Sequence, residues 1–176
     1  MQERARTYLF HISSKAGISL ESRIGSLNSS ISPQLGEDQP TLIGIQVRRG
    51  DKSHDKYIKY GWVVPDKSYF QHAMDYFRSK FNKVYFIVVS EDKKWAKMNI
   101  VGHDVIHSSS KYDLLEFTLL TLCDHTIMSV GTFSYWAAYL AGGEVVYYRN
   151  HIKPNSPLSK NYNDTQYFLP HWKPMI

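Results

Sequence analysis

From Thr41 onward the chain alternates short apolar runs with amphipathic stretches. Residues 42–47, LIGIQV, are apolar, carry β-branched side chains and stop at charge, which predicts a buried strand. Residues 68–81 set Phe70, Ala73, Met74 and Phe77 at helical spacing. KVYFIVVS predicts a second buried strand, ending in Ser90-Glu91-Asp92. WAKMNI then reads as a short helix and HDVIH as a brief strand. Residues 112–123 repeat Leu and Phe three and four apart, so they predict a helix. HTIMSV predicts a strand, GTFSYWAAYLAGG a helix stopped by Gly142 and Gly143, and EVVYYRN a last strand.

Strands and helices in alternation, with strands apolar on both faces, predict an α/β fold with a Rossmann-like parallel sheet covered on both sides. Residues 1–40 follow another pattern. A short helix is expected over Arg4–Ile12, and then SLNSSISPQLGEDQP reads as loop or linker. The predicted organisation is therefore a partial helical and linker segment over 1–40 and one α/β domain over 41–176. No internal repeat, low-complexity run or heptad interrupts it.

Charge narrows the partners. The chain has 176 residues, a formal net charge of +5 and a pI near 9.2, which suits an anionic partner. A polynucleotide partner would call for stacking aromatics clustered among Lys and Arg. The 13 tyrosines are scattered instead, so nucleic acid is not expected. The one cysteine, Cys123, lies in an apolar helical stretch and reads as core; an intrachain disulfide is impossible. No run approaches the roughly 20 apolar residues of a membrane span. Sequons stand at Asn28-Ser29-Ser30 and Asn163-Asp164-Thr165.

In parallel sheets ligands sit at the carboxyl ends of the strands. Three polar clusters fall there: Arg48-Arg49-Gly50-Asp51, Ser90-Glu91-Asp92, and Ser129 to Ser134. Successive side chains on a strand point to opposite faces, so Arg48 and Arg49 are expected to do different jobs. One would face the crevice with its guanidinium fork; the other would make a structural pair. VGTFSYW brings hydroxyls and amides to a helix start, where anions bind; on local sequence, Thr132 and Ser134 read as caps of that helix. Arg49-Gly50-Asp51 also spells an adhesion tripeptide, but it follows a buried strand directly, and adhesion loops project into solvent. His103 and His107, four apart, sit in a strand and loop rather than on a helix, so no metal site is expected.

Three ordered segments give this pattern a family. IQVRRGDK is similar to the His-Val-Arg-Arg-Gly-Asp block of the alpha-1,2-fucosyltransferases, glycosyltransferase family 11. DLLEFTLLTLCDHTIMSVGTFSYWAAYLAGG resembles that family's long block of leucines, Cys-Asp-His and Thr-Phe-Ser/Gly-x-Trp-Ala-Ala-Tyr-Leu. LPHWKPMI resembles its closing Leu-Pro-x-Trp segment. The resemblance covers residues 41–176 well and 1–40 weakly. It implies the C-terminal, donor-binding half of a GT-B-type enzyme that transfers L-fucose from GDP-fucose to a glycan hydroxyl. The classical acceptor is the 2-hydroxyl of galactose; transfer is inverting and uses no metal or other cofactor.

By the same resemblance Arg48 grips the diphosphate and Arg49 belongs to the donor site. Thr132, Phe133 and Ser134 lie by the phosphates and fucose, and Asp92 and Asp113 touch guanine or ribose. Asp51 and Asp55 are the nearby carboxylates. Asp51 joins Arg48 as a catalytic candidate, and orienting an arginine is its larger expected role. The implied location is the lumenal side of the Golgi membrane, through an anchor not found in this chain. Gln46 departs from the family, which usually has histidine there; glutamine keeps a donor and an acceptor but does not titrate.

Overall fold

In a computed structural model of the chain, residues 40–176 are described. The helix expected over Arg4–Ile12 and the linker after it lie outside the described residues. Six strands form one parallel sheet: β1 (Thr41–Val47), β2 (Val84–Ser90), β3 (Val105–His107), β4 (His125–Met128), β5 (Val145–Tyr148) and β6 (Lys173–Met175). Their spatial order is β3-β2-β1-β4-β5-β6, that of the doubly wound dinucleotide-binding fold. The order reverses between β1 and β4, which opens a crevice at their carboxyl ends.

The helices are α1 (Asp55–Tyr60), α2 (Lys67–Lys80), α3 (Lys93–Asn99), α4 (Asp113–Thr121), α5 (Thr132–Ala141) and α6 (Asp164–Tyr167). They cover both faces, as the apolar strands require. On one face Ile43, Ile45 and Val47 pack with Phe86, Val88, Ile127 and Val146 against Tyr69, Phe70, Ala73, Met74 and Phe77 of α2. Each Val, Ile, Phe or Met side chain buried there contributes roughly 1.5–3 kcal/mol. On the other face Val89 packs with Leu120 of α4 and Ala137 of α5, while Ile87 and Ile106 meet Leu119 and Cys123. Cys123 is buried, as its apolar surroundings predict.

Two polar ties fix α2 on this core. The buried Tyr69 hydroxyl donates to the Met128 carbonyl at 2.7 Å, locking α2 onto β4. Arg78 forks onto Asp104 with two hydrogen bonds of 2.8 Å, tying α2 to the start of β3.

The strand expectations hold with one correction. EVVYYRN is not the last strand, because β6 adds Lys173–Met175 beside β5. Pro174 sits in that edge strand, where its missing N–H costs no interior ladder bond.

Candidate functional site

Three loops leave the carboxyl edge of the sheet side by side, and two serines stitch them together. Ser90, the last residue of β2, donates its hydroxyl to the Val47 carbonyl at 2.9 Å and accepts the Asp92 N–H at 3.0 Å. Ser129, the first residue after β4, accepts the Arg48 N–H at 2.8 Å and donates to Gln46 Oε1 at 2.8 Å. The carbonyl of Val47 and the amide of Arg48 are therefore taken from opposite neighbours, and the backbone at the end of β1 is pinned on both sides.

Beyond Arg48 the chain turns tightly. Ser53 donates its N–H to the Arg49 carbonyl at 2.7 Å and its hydroxyl to the Gly50 carbonyl at 2.8 Å. Glu91 folds over this turn and accepts the Arg49 N–H at 2.7 Å. A side chain at position 50 would put its Cβ 2.8 Å from Glu91 Cγ, so glycine is what lets that carboxylate approach.

The two arginines part as strand geometry predicts. Arg48 donates from Nε to Asp51 Oδ1 at 3.0 Å and pairs through Nη2 at 2.8 Å, with Glu91 Oε1 3.6 Å from Nε. Its side chain keeps 36% of its surface open, so the fork can take another anion. Arg49 instead lies on the Trp95 ring of α3, Cζ 4.2 Å from the centroid, and donates to the Pro65 carbonyl at 3.4 Å. Lys52 stands over Tyr57 at 4.2 Å and Trp62 at 4.5 Å, with its Nζ 3.7 Å from Asp51. Partial burial would raise the Asp51 carboxyl, but the charge and hydrogen bond of Arg48, with help from Lys52, hold it below the usual aspartate range.

The third loop supplies a helix start. Gly131 is the N-cap of α5 with φ 94° and ψ 166°, a conformation that suits glycine alone. No side chain caps this helix, which corrects the expectation for Thr132 and Ser134. Thr132 is exposed, and Phe133 meets Phe117 of α4 edge-on with centroids 5.3 Å apart. Ser134 is buried, its hydroxyl donating to the Gly131 carbonyl at 3.1 Å, so only its backbone belongs to the open helix end. Ser129, two residues before Gly131, is the residue that holds Arg48. The arginine loop and the loop that leads into α5 are therefore tied together at the β1–β4 switch. A guanidinium and the free amides of a helix start each favour an anion.

The remaining candidates are more scattered. Asp92 accepts the Trp95 N–H at 3.0 Å and so caps α3. Asp113 opens α4 with its side chain exposed, and no hydrogen bond ties it to the arginine block. Among the described residues no three His, Cys, Asp or Glu side chains converge on a possible metal position. His107 is bonded at Nε2 to the Ile100 carbonyl, 2.9 Å away. Among the described residues no helix is long and apolar enough to cross a membrane. Glu91, Ser90 and Ser129 carry roles that were not assigned from sequence; their one signal is their place directly at the strand ends.

Comparison with known proteins places these residues in a family. The profile described as "Glycosyl transferase family 11" matches residues 3–175. The galactoside alpha-(1,2)-fucosyltransferase 2 of Pongo pygmaeus is 41% identical over 145 residues, which cover 79% of this chain and 42% of that protein. The galactoside alpha-(1,2)-fucosyltransferase 1 of Bos taurus is 40% identical over 152 residues, covering 84% of this chain and 42% of that protein. The chain thus spans less than half the length of the curated relatives it matches. A crystal structure of an alpha-1,6-fucosyltransferase soaked with GDP-fucose is distantly similar, with a TM-score of 0.43 and 14% identity over 74% of this chain and 44% of that one.

Proposed function

Because the chain belongs to glycosyl transferase family 11, we propose that it transfers L-fucose from GDP-fucose to a glycan hydroxyl, the 2-hydroxyl of a galactoside, with inversion and without a metal. The observation that carries this reading is the hydrogen bond from the Arg48 amide to Ser129, which ties the arginine loop to the loop leading into α5 at the β1–β4 switch. A nucleoside diphosphate is the kind of anion that the crevice at such a switch receives in doubly wound sheets.

The chemistry explains why a fixed cation belongs there. The acceptor oxygen bonds to C1 of fucose from the face opposite GDP, while the bond from C1 to the β-phosphate oxygen breaks. The hydroxyl proton passes to a base, and GDP departs with one more negative charge. That charge grows as the bond breaks, so Arg48 and the amides of residues 132–134 stabilise the transition state more than the bound donor. Asp51 orients the Arg48 fork; a carboxyl held below its usual range is a weak base at neutral pH. Arg49 is the anchor of the loop, stacked on Trp95. In this reading Thr132 and Phe133 lie beside the phosphates and fucose, and Asp92 and Asp113 border the nucleoside. The family's lumenal Golgi location is proposed for the whole protein.

Gln46 favours a second reading. The family usually has histidine there, and a relative that departs from the arginine block would hold the nucleotide sugar and leave it intact. Two assays separate the readings. Calorimetry with GDP tests the site, and transfer of radiolabelled fucose to a galactoside, run beside a full-length relative, tests the reaction. GDP binding with no transfer selects the second reading; absence of GDP binding removes both.

A further inference from the structure

Gln46 is the least explained residue of the arginine block. It is polar, only 3% exposed, and lies in the middle strand of the sheet. Its neighbours in register are Val89 and Met128. A buried amide in such a place needs a partner, and its carbonyl has one in the Ser129 hydroxyl. That bond sets the direction of the hydroxyl. With its proton spent on Gln46, Ser129 turns a lone pair to the Arg48 N–H. Three residues at the ends of two strands thus form a directed chain: Arg48 N–H to Ser129 Oγ, and Ser129 O–H to Gln46 Oε1.

We propose that Gln46 is a positioning residue for the diphosphate grip, which through Ser129 fixes the backbone from which the Arg48 guanidinium starts. The proposal rests on the functional reading above, since it needs Arg48 to meet a nucleotide. Gln46 touches no substrate and acts at second hand. Glutamine also keeps its acceptor at every pH. A neutral histidine at this position offers one ring lone pair to Ser129 and loses it on protonation. The elements packed on this side of the sheet carry few ionisable groups. On α4 these are Asp113 and Glu116, with Cys123 just beyond; Glu116 is paired with Lys93, and α5 adds Tyr135 and Tyr139. Arg48, Arg49, Asp51 and Glu91 complete the set around the turn. Native Gln46 therefore makes the brace itself indifferent to pH.

The test uses the whole chain and GDP as the probe. By calorimetry, Gln46→Leu and Ser129→Ala should each weaken GDP binding about tenfold, the size of one lost hydrogen bond. The double variant should be no worse than the weaker single one, because both break one chain. Gln46→His should bind GDP like the native chain at about pH 8, where imidazole is neutral and offers a ring lone pair. If Gln46→Leu does not fold, Gln46→His and Ser129→Ala carry the test. Additive losses, or a Gln46→His chain that binds GDP as weakly as Gln46→Leu at about pH 8, overturn the proposal. Hydrogen exchange at the Arg48 amide separates the two possible failures. If the native chain ignores GDP, the functional reading and the proposal both fall, whatever the exchange shows. If GDP binds and the Arg48 amide exchanges no faster in Gln46→Leu and Ser129→Ala, the brace alone is wrong.

Discussion

Replacing Asp51 by asparagine separates the two roles a carboxylate can play beside Arg48. The substitution keeps Oδ1, which takes both contacts from the arginine at 3.0 and 2.8 Å. It removes the charge, and it turns an amide toward Lys52 where a carboxylate oxygen stood 3.7 Å away. The pair is 36% open on each side, so water screens it, and its net worth is at most about 1 kcal/mol. If Asp51 only orients the fork, Asp51→Asn should change kcat and GDP affinity by no more than about fivefold. If Asp51 accepts the acceptor proton, the loss in kcat should be about 100- to 10,000-fold, with GDP affinity nearly unchanged. The assay is fucose transfer at saturating donor, with calorimetry on the same protein. A large loss confined to kcat would refute the orienting role and the argument from its lowered proton affinity.

Other consequences of the geometry can be checked on stability alone. Alanine at Gly131 must adopt φ near 94°, so Gly131→Ala should destabilise the fold by about 1–3 kcal/mol in urea titration; a loss below about 0.5 kcal/mol would deny the strain. Hydrogen bonds from Arg78 hold the Asp104 carboxyl below its ordinary range, against burial that pushes it up. A group lowered on folding stabilises the native state above its unfolded value, and that contribution fades as pH falls through the folded value. Asp104→Asn should therefore cost about 2 kcal/mol at neutral pH, and the gap to the native chain should narrow below about pH 4.

Local pattern carried most of the fold. Strands β1, β2, β4 and β5 are continuous apolar runs, and α2 shows its buried face as Phe70, Ala73, Met74 and Phe77. What stayed hidden lacked such a pattern. The six residues of α1 bury nothing, and β6 is three residues at an edge, with a proline in the middle. The site was legible at the level of clusters, because a charged stop after a buried strand marks a carboxyl end. Its wiring was not. Arg48 meets Ser129 across 81 residues and Arg49 meets Glu91 across 42, contacts that only the strand order creates. Ser134 shows the opposite limit: on local sequence it read as a cap of α5, and its hydroxyl donates to the carbonyl of Gly131 instead. Gln46 looked like a departure from the family, and it proves to be bonded to Ser129 in the core.

The proposed role of Arg48 is to grip a diphosphate at the end of β1. Titration of GDP into the native chain and into Arg48→Ala measures that grip. A charge-assisted pair contributes about 1.5–3 kcal/mol, so the native chain should bind GDP and Arg48→Ala should bind it roughly 10- to 150-fold more weakly. Equal affinity in a folded Arg48→Ala chain would mean that Arg48 does not hold the diphosphate.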